Sequence, residues 1–338
     1  MSNKTFVIAE AGSNHNRNLN QAYALIDVAV SAGADAVKFQ TYSSNTLYAK
    51  NTPDFAGHKN INKLIEDIEL PREWQKDLKL YCDDKGIEFM STPFDEAAVD
   101  ELLSLGVKRL KIAGFESTDP RFVRMVASSG LPLIISSGIG NNFDTVSDTL
   151  SWVAQEQNNP DVTILHCNNA YPTPDCDINL GSIDKLREKY PNLKVGLSDH
   201  TKGILAPSLA VAKGAVCIEK HYTLSRHLPG PDHPFAIEPN ELADMVSNIR
   251  LAETMLGTKS AGYTSSEQGF AMGRRSVVVR GNVKKGDIVT EQNITTKRPL
   301  LENSIPASAY YDVLGRSFEK DLNDDSVMAW GDITRSGA

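Results

Sequence analysis

The sequence predicts a (β/α)₈ barrel followed by a small, mainly β domain. Short apolar runs rich in Val, Ile and Leu recur about eight times, and a helical pattern follows each run. Apolar strands alternating with helices favour parallel pairing with both faces of the sheet covered. About eight such units, at roughly 25 to 35 residues each, are typical of the TIM barrel, whose active site lies where the strands end.

The predicted elements follow in order along the first three quarters of the chain. The apolar runs that we interpret as strands are 6–11, 36–40, 88–92, 109–113, 132–136, 162–166, 194–198 and 215–220. The segments with helical periodicity are 20–32, 72–85, 96–105, 119–129, 144–157, 183–189, 203–213 and 239–256. Segment 20–32 carries its apolar residues on one face and is followed by Gly33, a helix stop signal.

The alternation of predicted strands and helices ends after Leu256. Residues 257–273 are rich in Gly, Ser and Thr and show no period, whereas residues 276–338 read as short strands and turns. A mainly β appendage of about 60 residues is marginally stable alone. We therefore divide the chain into a barrel (1–257), a linker (258–275) and a small second domain (276–338). The longest strand-to-helix connection, 41–70, is typical of a lid or a binding loop.

Composition and charge narrow the class of protein. The net charge of −8 over 338 residues disfavours a nucleic-acid or anionic membrane surface. The N-terminal residues resemble no signal peptide and no segment is long enough to cross a bilayer, so we expect a cytoplasmic enzyme. The four cysteines lie far apart and lack a Cys-x-x-Cys pair, which predicts reduced thiols.

Two histidines end successive predicted strands, His200 in a Ser-Asp-His context and His221 in a Glu-Lys-His context. Because neighbouring barrel strands lie ~4.8 Å apart, both imidazoles can reach one ion. Two protein nitrogens, with a carboxylate, leave positions open for water and substrate, as in a catalytic site for a divalent metal. The alternative is that both histidines are hydrogen-bonded residues of the core.

A second cluster is cationic. Lys38 and Lys111 are expected at strand ends, close to the hydroxyl groups of Thr92, Ser136 and Ser198. Ammonium groups and hydroxyls together commonly hold a phosphate or a phosphorylated carboxylate. Two alternatives are that both lysines are satisfied barrel charges, or that one of them is a Schiff-base nucleophile, as in an aldolase.

Acidic residues complete the candidate site. Glu10, Glu116, Asp199 and Asp232 stand at or near predicted strand ends or in the loops that follow. A carboxylate beside a divalent ion can take a proton from water or orient a substrate hydroxyl, whereas its alternative role is a salt bridge to a lysine. Glu10 lies in a run that otherwise demands burial, so its charge must be compensated by partners.

Seven segments resemble, in order, those of one enzyme family. They read IAEAGSNHN (8–16), GADAVKFQT (33–41), STPFD (91–95), LHCNNAYPTP (165–174), GLSDHT (196–201), EKHYT (219–223) and GPDH (230–233). With these motifs the chain resembles the sialic acid (N-acetylneuraminate) synthase family nearly end to end. Its tail, with KKGD (284–287) and KRP (297–299), is similar to the SAF, or antifreeze-like, domain of these synthases.

The resemblance implies a reaction and a metal. The family condenses phosphoenolpyruvate with an open-chain N-acetylated hexosamine and water, and it releases phosphate and a nine-carbon 2-keto-3-deoxy sugar acid. N-acetylmannosamine is the first expected acceptor, and a 2,4-diacetamido-trideoxyhexose, as in legionaminic or pseudaminic acid synthases, is the alternative. The resemblance also implies a divalent ion held by His200 and His221, with Mn²⁺ expected first and Mg²⁺ or Co²⁺ as alternatives.

The resemblance further implies which residues meet each substrate. Phosphoenolpyruvate is expected against Lys38, Thr92, Lys111, Ser136 and Ser198. The amino sugar is expected against Gln40, Glu116, Tyr171 and Asp232, with Glu10 at the reacting centre. In family members the tail crosses to the partner barrel in a domain-swapped homodimer, so the resemblance implies that Arg298 contacts the sugar's acyl group in trans.

The chain departs from the family pattern at one strand end. Where N-acetylneuraminate synthases read Lys-Ile-Gly-Ser-Gly-Glu, this chain reads Lys-Ile-Ala-Gly-Phe-Glu (111–116), so a serine donor to phosphoenolpyruvate is missing at Gly114. Phe115 resembles the pseudaminic acid branch, whereas Gly-Pro-Asp-His resembles the sialic or legionaminic branch. Two other classes stay open: a metal-independent Schiff-base aldolase, and a non-enzymatic ice- or carbohydrate-binding protein.

Overall fold

The computed structural model describes residues 4–54, 59–140, 143–257 and 262–335. The chain divides into two units, residues 1–258 and 259–338. Within the described ranges, no helix combines the length and the hydropathy needed to cross a membrane.

Strands and helices alternate throughout the first unit. The strands are β1 (Phe6–Gly12), β2 (Ala36–Thr41), β3 (Glu88–Pro93), β4 (Leu110–Ile112), β5 (Leu133–Ser136), β6 (Val162–Cys167), β7 (Lys194–Asp199) and β8 (Cys217–His221). The α-helices are α1 (Leu19–Ser31), α2 (Ser44–Leu47), α3 (Ile61–Ile68), α4 (Gln75–Lys85), α5 (Glu96–Ser104), α6 (Pro120–Ala127), α7 (Phe143–Glu156), α8 (Gly181–Lys189), α9 (Leu205–Ala212) and α10 (Pro239–Leu256). All eight predicted strands are confirmed, with ends that differ by at most two residues.

The eight strands form one parallel sheet in the order β3-β2-β1-β8-β7-β6-β5-β4. Each neighbour in this order is also a neighbour in sequence or joins the first strand to the last, which is the winding of a (β/α)₈ barrel. The two strands at the ends of the order, β3 and β4, also lie beside each other, so the sheet is nearly closed as a barrel.

Helix boundaries follow local capping chemistry. The Asn18 side chain accepts hydrogen bonds from the backbone N–H groups at the start of α1, and Asp95 and Asp119 do the same for α5 and α6. At the start of α10, Glu238 and Glu241 form a capping box. These side chains satisfy the otherwise unpaired N–H groups of a first helical turn.

The segment 41–70 contains two helices that the sequence analysis did not predict. In α3, Ile61 and Ile65 are buried, and they pack with Tyr42 in a small separate apolar cluster. The two isoleucines are four residues apart, so they share one face of the helix. Residues 55–58 of this segment lie outside the described residues.

The interior of the barrel is filled by one apolar layer. The buried residues of this layer are Ile8, Ala36, Met90, Ile134, Leu165 and Cys217. They form a cluster distinct from the larger core between the strands and the surrounding helices. Because side chains alternate between the two faces of a strand, residues two positions further along each strand also face the barrel interior.

Five of those six next inward positions are polar, and the sixth, two residues beyond Leu165, is Cys167. Two residues beyond Ile8, Ala36, Met90, Ile134 and Cys217 stand, in the same order, Glu10, Lys38, Thr92, Ser136 and Glu219. All five are buried. The side chains inside the barrel therefore change from apolar to polar or charged over two residues of a strand, at the carboxyl ends of the strands.

The second unit has its own strands and its own core. Strands β9 (Ser276–Val279) and β10 (Ile294–Lys297) pair antiparallel, and short 3₁₀ helices follow at Ala307–Ala309, Tyr311–Val313 and Trp330–Asp332. Its core includes Val277, Ile294 and Phe318. The predicted linker contains a 3₁₀ helix at Gln268–Gly273, and its residues 258–261 lie outside the described residues.

We predict that Gly196→Ala destabilises the barrel. Gly196 lies on β7 beside the apolar layer, and an added Cβ would lie 2.3 Å from the backbone oxygen of Cys217 and 2.6 Å from Leu165 Cδ2. Overpacking of this kind costs about 1 to 3 kcal/mol. Urea denaturation should show a free energy of unfolding lower by at least this amount.

The matched control is Gly181→Ala at the first residue of α8. An added Cβ there would lie 3.7 Å from Asn179 Oδ1, an ordinary van der Waals contact. Its free energy of unfolding should be unchanged or slightly higher, because alanine favours helix. Equal stability of the Gly196 variant and the wild type would contradict the packing of the barrel interior described above.

Candidate active site

A pocket lies at the carboxyl ends of the barrel strands. It encloses about 330 Å³ of empty space, including space open to solvent. Residues singled out from the sequence that line it are Glu10, Lys38, Gln40, Thr92, Lys111, Ser136, Tyr171, Ser198, His200 and His221. Phe94, Ala113, Gly114, Cys167 and Glu219 line it as well. The structure thus brings together residues from all eight barrel strands and the loops that follow them.

Lys38 anchors one side of the pocket. Its Nζ lies 2.8 Å from Glu10 Oε2 and donates a hydrogen bond of 2.7 Å to Thr92 Oγ1. Gln40 Nε2 donates to the other oxygen of Glu10, over 2.8 Å. These contacts join β1, β2 and β3, and they hold the Glu10 carboxylate from both sides.

Lys111 anchors the opposite side. Its Nζ donates to Ser136 Oγ over 2.8 Å and to the backbone oxygen of Ile112 over 3.1 Å. Ser198 Oγ donates to Glu219 Oε1 over 3.0 Å. A hydroxyl group therefore accompanies each charged group on this side of the pocket, as it does at Lys38.

Glu219 lies between the two lysines. Its oxygens are 3.7 Å from Lys38 Nζ and 3.9 Å from Lys111 Nζ. Glu219 was assigned no role from the sequence, although it stands in the Glu-Lys-His motif. The signal was available, because Glu219 is two residues before His221 and so faces the same side of β8.

Burial and mutual attraction set the charges of this cluster. Burial raises the pKa of Glu10 to about 7, and Lys38 offsets that rise only in part. Burial alone would lower the pKa of Lys38, but the Glu10 and Glu219 carboxylates hold it above its ordinary value. Burial lowers the pKa of Lys111. Burial would raise the pKa of Glu219, but Lys111 and Lys38 hold it below its ordinary value.

The predicted histidine pair lies together at the ends of β7 and β8. The ring centroids of His200 and His221 are 5.4 Å apart. His200 Nδ1 is 2.6 Å from the backbone oxygen of Asn168, which can only accept, so the proton is on Nδ1 and the lone pair on Nε2. His221 Nδ1 is buried without a hydrogen bond and lies 3.6 Å from Asp232 Oδ2.

The donor set of the histidine pair fits a divalent cation. Burial lowers the pKa of His200 to about 4 and lowers the pKa of His221 well below its ordinary value, so both imidazoles are neutral, as ligands must be. The bond from His200 to Asn168 fixes its tautomer, as partners of metal-bound histidines commonly do. Among the residues described, no ready-made cluster of three or more His, Cys, Asp or Glu side chains is found.

Asp199 lies outside the pocket lining and takes the alternative role of a salt bridge to a lysine. Its Oδ2 accepts a hydrogen bond of 2.7 Å from Lys220 Nζ.

Three further predicted site residues also lie outside the pocket lining. Asp232 is adjacent to it, next to His221, and burial raises its pKa to about 6. Glu116 begins a 3₁₀ turn after β4, and its Oε2 is buried without a hydrogen bond. Arg298 is exposed and follows β10 in the second unit.

Aromatic rings border the histidines. The Tyr171 ring centroid is 4.1 Å from that of His200, and Phe235 lies 5.3 Å from His221. Tyr171 is 47% exposed, so one part of it contacts the histidines while another part meets solvent. Phe235 was not predicted from the sequence.

Asn169 occupies the space beside Gly114. A Cβ added at Gly114 would lie 2.8 Å from Asn169 Nδ2 and 3.2 Å from the backbone oxygen of Ser137. Asn169 Oδ1 is buried without a hydrogen bond. At the position where the serine donor of the family pattern is missing, the structure has the side-chain amide of Asn169, from the loop after β6.

Comparison with known proteins assigns the chain to a family. It matches the NeuB family over residues 25–261, more than half of the chain, and the SAF domain over residues 274–334. N,N'-diacetyllegionaminic acid synthase of Legionella pneumophila is 38% identical, over 97% of this chain and 94% of that protein. Pseudaminic acid synthase of Campylobacter jejuni is 34% identical, over 98% and 97%.

A solved structure agrees with this assignment. The crystal structure of N-acetylneuraminic acid (sialic acid) synthetase from Leptospira borgpetersenii, in complex with citrate, superposes with a TM-score of 0.73. It is 36% identical, and the match covers 79% of this chain and 90% of that one. The family resemblance found in the sequence is therefore confirmed. The chain belongs to the NeuB family of nonulosonic acid synthases, with a SAF domain after its barrel.

Proposed function

We propose that the protein condenses phosphoenolpyruvate with an open-chain N-acetylated hexosamine and water, giving a nine-carbon 2-keto-3-deoxy sugar acid and phosphate. The observation that carries this proposal is the pair of buried lysines in one pocket. Lys38 and Lys111 each have a hydroxyl partner, and a buried carboxylate, Glu219, lies between them. In the structure the two ammonium groups flank one carboxylate. The same pair of cations can bind a substrate that carries two anionic groups.

The chain's residues account for the orientation of phosphoenolpyruvate. Lys38 with Thr92, and Lys111 with Ser136 and Ser198, offer donors on opposite sides of the pocket. Held between them, the donor's C3 can be aimed at the aldehyde carbon of the sugar. Such positioning of two reactants lowers a barrier by as much as ~7 to 11 kcal/mol.

Glu10 suits the proton transfers of the reaction. The C3 atom of the enol phosphate forms a bond to the aldehyde carbon, water adds at C2, and the C2–O bond to phosphate breaks. The adding water must lose a proton, and the aldehyde oxygen must gain one. A carboxyl group with a pKa raised to about 7 by burial can accept a proton and return it near neutral pH.

His200 and His221 would hold the divalent ion. Their two neutral imidazoles leave the other coordination positions to oxygen atoms of water and substrate, and such a mixed nitrogen and oxygen donor set suits Mn²⁺, with Mg²⁺ or Co²⁺ as alternatives. When bound, such an ion supplies Lewis-acid polarisation of a carbonyl oxygen. The binding and proton-transfer roles of Lys38, Lys111 and Glu10 described above are performed by the chain itself.

Two acceptors are candidates. The resemblance to the sialic acid synthase family makes N-acetylmannosamine the first candidate. The near full-length similarity to legionaminic and pseudaminic acid synthases supports a 2,4-diacetamido-trideoxyhexose as the second candidate, and Phe115 agrees with it. Both sugars present an aldehyde and an acetamido group to the same pocket.

The first test is release of phosphate from phosphoenolpyruvate. With Mn²⁺ present, we expect release that depends on one of the two classes of sugar, and loss of release when a chelator removes the ion. Adding Mn²⁺ back should restore it. Assays with N-acetylmannosamine and with the 2,4-diacetamido hexoses, run in parallel, identify the acceptor. No release with any of these sugars would refute the proposed reaction.

A second prediction concerns Glu10→Gln. This change keeps the size of the side chain and removes its ability to exchange a proton, so kcat should fall about 10²- to 10⁴-fold. The wild-type kcat/KM should rise with pH through about 7, because the ionised fraction of Glu10 rises there. The variant should lose that rise.

The matched control for this variant is Glu188→Gln, on an exposed position of α8. It should leave both kcat and the pH profile unchanged. Near-normal turnover by the Glu10 variant would remove Glu10 from the proton transfers.

The Schiff-base alternative rests on one observation, the lowered pKa of the buried Lys111 amine. A neutral amine can attack a carbonyl carbon. We expect that sodium borohydride, added with the sugar aldehyde or with pyruvate, gives no covalent adduct on Lys38 or Lys111 by peptide mass spectrometry. An adduct on Lys111, together with phosphate release that resists a chelator, would support the aldolase interpretation instead.

A further inference from the structure

The Gly-Pro-Asp-His motif (230–233) lies in the loop between β8 and α10. Its aspartate, Asp232, reaches the pocket, where its carboxylate is 3.6 Å from His221 Nδ1. Its histidine, His233, is fully buried and does not line the pocket. The proposed reaction leaves this buried histidine without a role.

His233 joins two loops through both of its ring nitrogens. Its Nε2 lies 3.1 Å from Asn16 Oδ1, in the loop between β1 and α1. Its Nδ1 lies 2.6 Å from Thr223 Oγ1, in its own loop. The Asn16 oxygen only accepts, so Nε2 carries the proton and Nδ1 accepts from the Thr223 hydroxyl. Burial lowers the pKa of His233 to about 4, which keeps this neutral form.

Gly230 makes room for this ring. Its φ of +145° lies in a region that side chains disfavour, and an added Cβ would lie 2.9 Å from His233 Cδ2 and 3.3 Å from Asn16 Oδ1. A residue with a side chain at this position would therefore separate the histidine from Asn16. Gly230 and His233 of the motif thus meet at Asn16.

The same two loops also meet at Asp232. The backbone N–H of Ser13 donates a hydrogen bond to the Asp232 carboxylate, and Ser13 Oγ contacts the Tyr42 hydroxyl. Asn14 Nδ2 donates to the backbone oxygen of Tyr222 over 2.7 Å. Asp232 therefore depends for its position on how closely the β1–α1 loop and the β8–α10 loop approach.

We propose that His233 is a positioning residue, whose bond to Asn16 latches the β8–α10 loop onto the β1–α1 loop and so holds the Asp232 carboxylate at the amino-sugar subsite. This inference rests on the proposed function and on the contact between Asp232 and the sugar that the family resemblance implies. Displacement of a binding group by about 1 Å can cost as much as 10²-fold in rate, so a residue that contacts no substrate can control the use of one.

Two substitutions at His233 separate the latch from general packing. Glutamine can place an N–H donor where the imidazole Nε2 stands, and asparagine can replace only the nearer nitrogen, Nδ1. We expect His233→Asn to raise KM for the sugar about tenfold or more, with KM for phosphoenolpyruvate within about twofold of the wild type. His233→Gln should bring KM for the sugar most of the way back to the wild-type value. His227→Asn, at an exposed histidine of the same loop, is the matched control and should change nothing.

A second measurement needs no substrate. Because the Ser13 N–H is bonded to Asp232, its hydrogen exchange reports whether that carboxylate stays in place. We expect exchange at Ser13 to be about tenfold faster in His233→Asn and near the wild-type rate in His233→Gln. Gly230→Ala should resemble His233→Asn.

The outcomes distinguish this inference from the proposed function. Unchanged Ser13 exchange and an unchanged sugar KM in His233→Asn would overturn the latch. It would also be overturned if KM for the sugar and KM for phosphoenolpyruvate rose equally in the asparagine and glutamine variants. A packing defect would have the same effect wherever the N–H donor is placed. If the wild-type protein released no phosphate with any sugar, the proposed function would fail, and the exchange experiment would still decide whether His233 holds Asp232.

Discussion

The change from apolar to charged side chains inside the barrel is the constraint on which the other features depend. Ile8 and Ala36 belong to a dry layer, and two residues further along the same strands Glu10 and Lys38 are just as buried but charged. The apolar layer closes the barrel below the pocket and keeps water out. It therefore strengthens every electrostatic interaction above it, and it makes an unpaired charge there costly.

The buried charges consequently appear as a connected set. Lys38 is in contact with Glu10 and Glu219, and Glu219 is also close to Lys111. Buried ion pairs are poor sources of stability, because desolvation consumes most of the Coulombic gain. Four connected charges at strand ends are better explained by the ligand that they can bind than by a contribution to stability. The pKa of Glu10, raised by burial beside a lysine whose pKa is also raised, shows that the same burial prepares both proton exchange and anion binding.

The sequence predicted this fold because its signals are local. Eight apolar runs and their strand-end residues mark the barrel, and Lys38, Lys111, His200 and His221 were placed at its carboxyl end by spacing alone. Glu219 was given no role from the sequence because that role depends on two lysines from β2 and β4, far away in sequence. Asn169 occupies the space beside Gly114 only because two loops approach each other. Helix α3 is stabilised by a small apolar cluster that no repeated sequence pattern predicts. Local sequence patterns do not predict contacts between loops.

The strand alternation also bears on how such a barrel can change over evolutionary time. In the paired strands β1 and β8, Glu10 lies opposite His221, and Ile8 lies opposite Glu219. Deleting a single residue in β1 would turn Glu10 toward the helices and bring an apolar neighbour into the pocket. Insertions and deletions are therefore expected in the loops rather than in the strands, because a loop has no strand register to lose. New substrate preferences in this architecture should arise by remodelling loops around a strand-borne set of charges that stays in register.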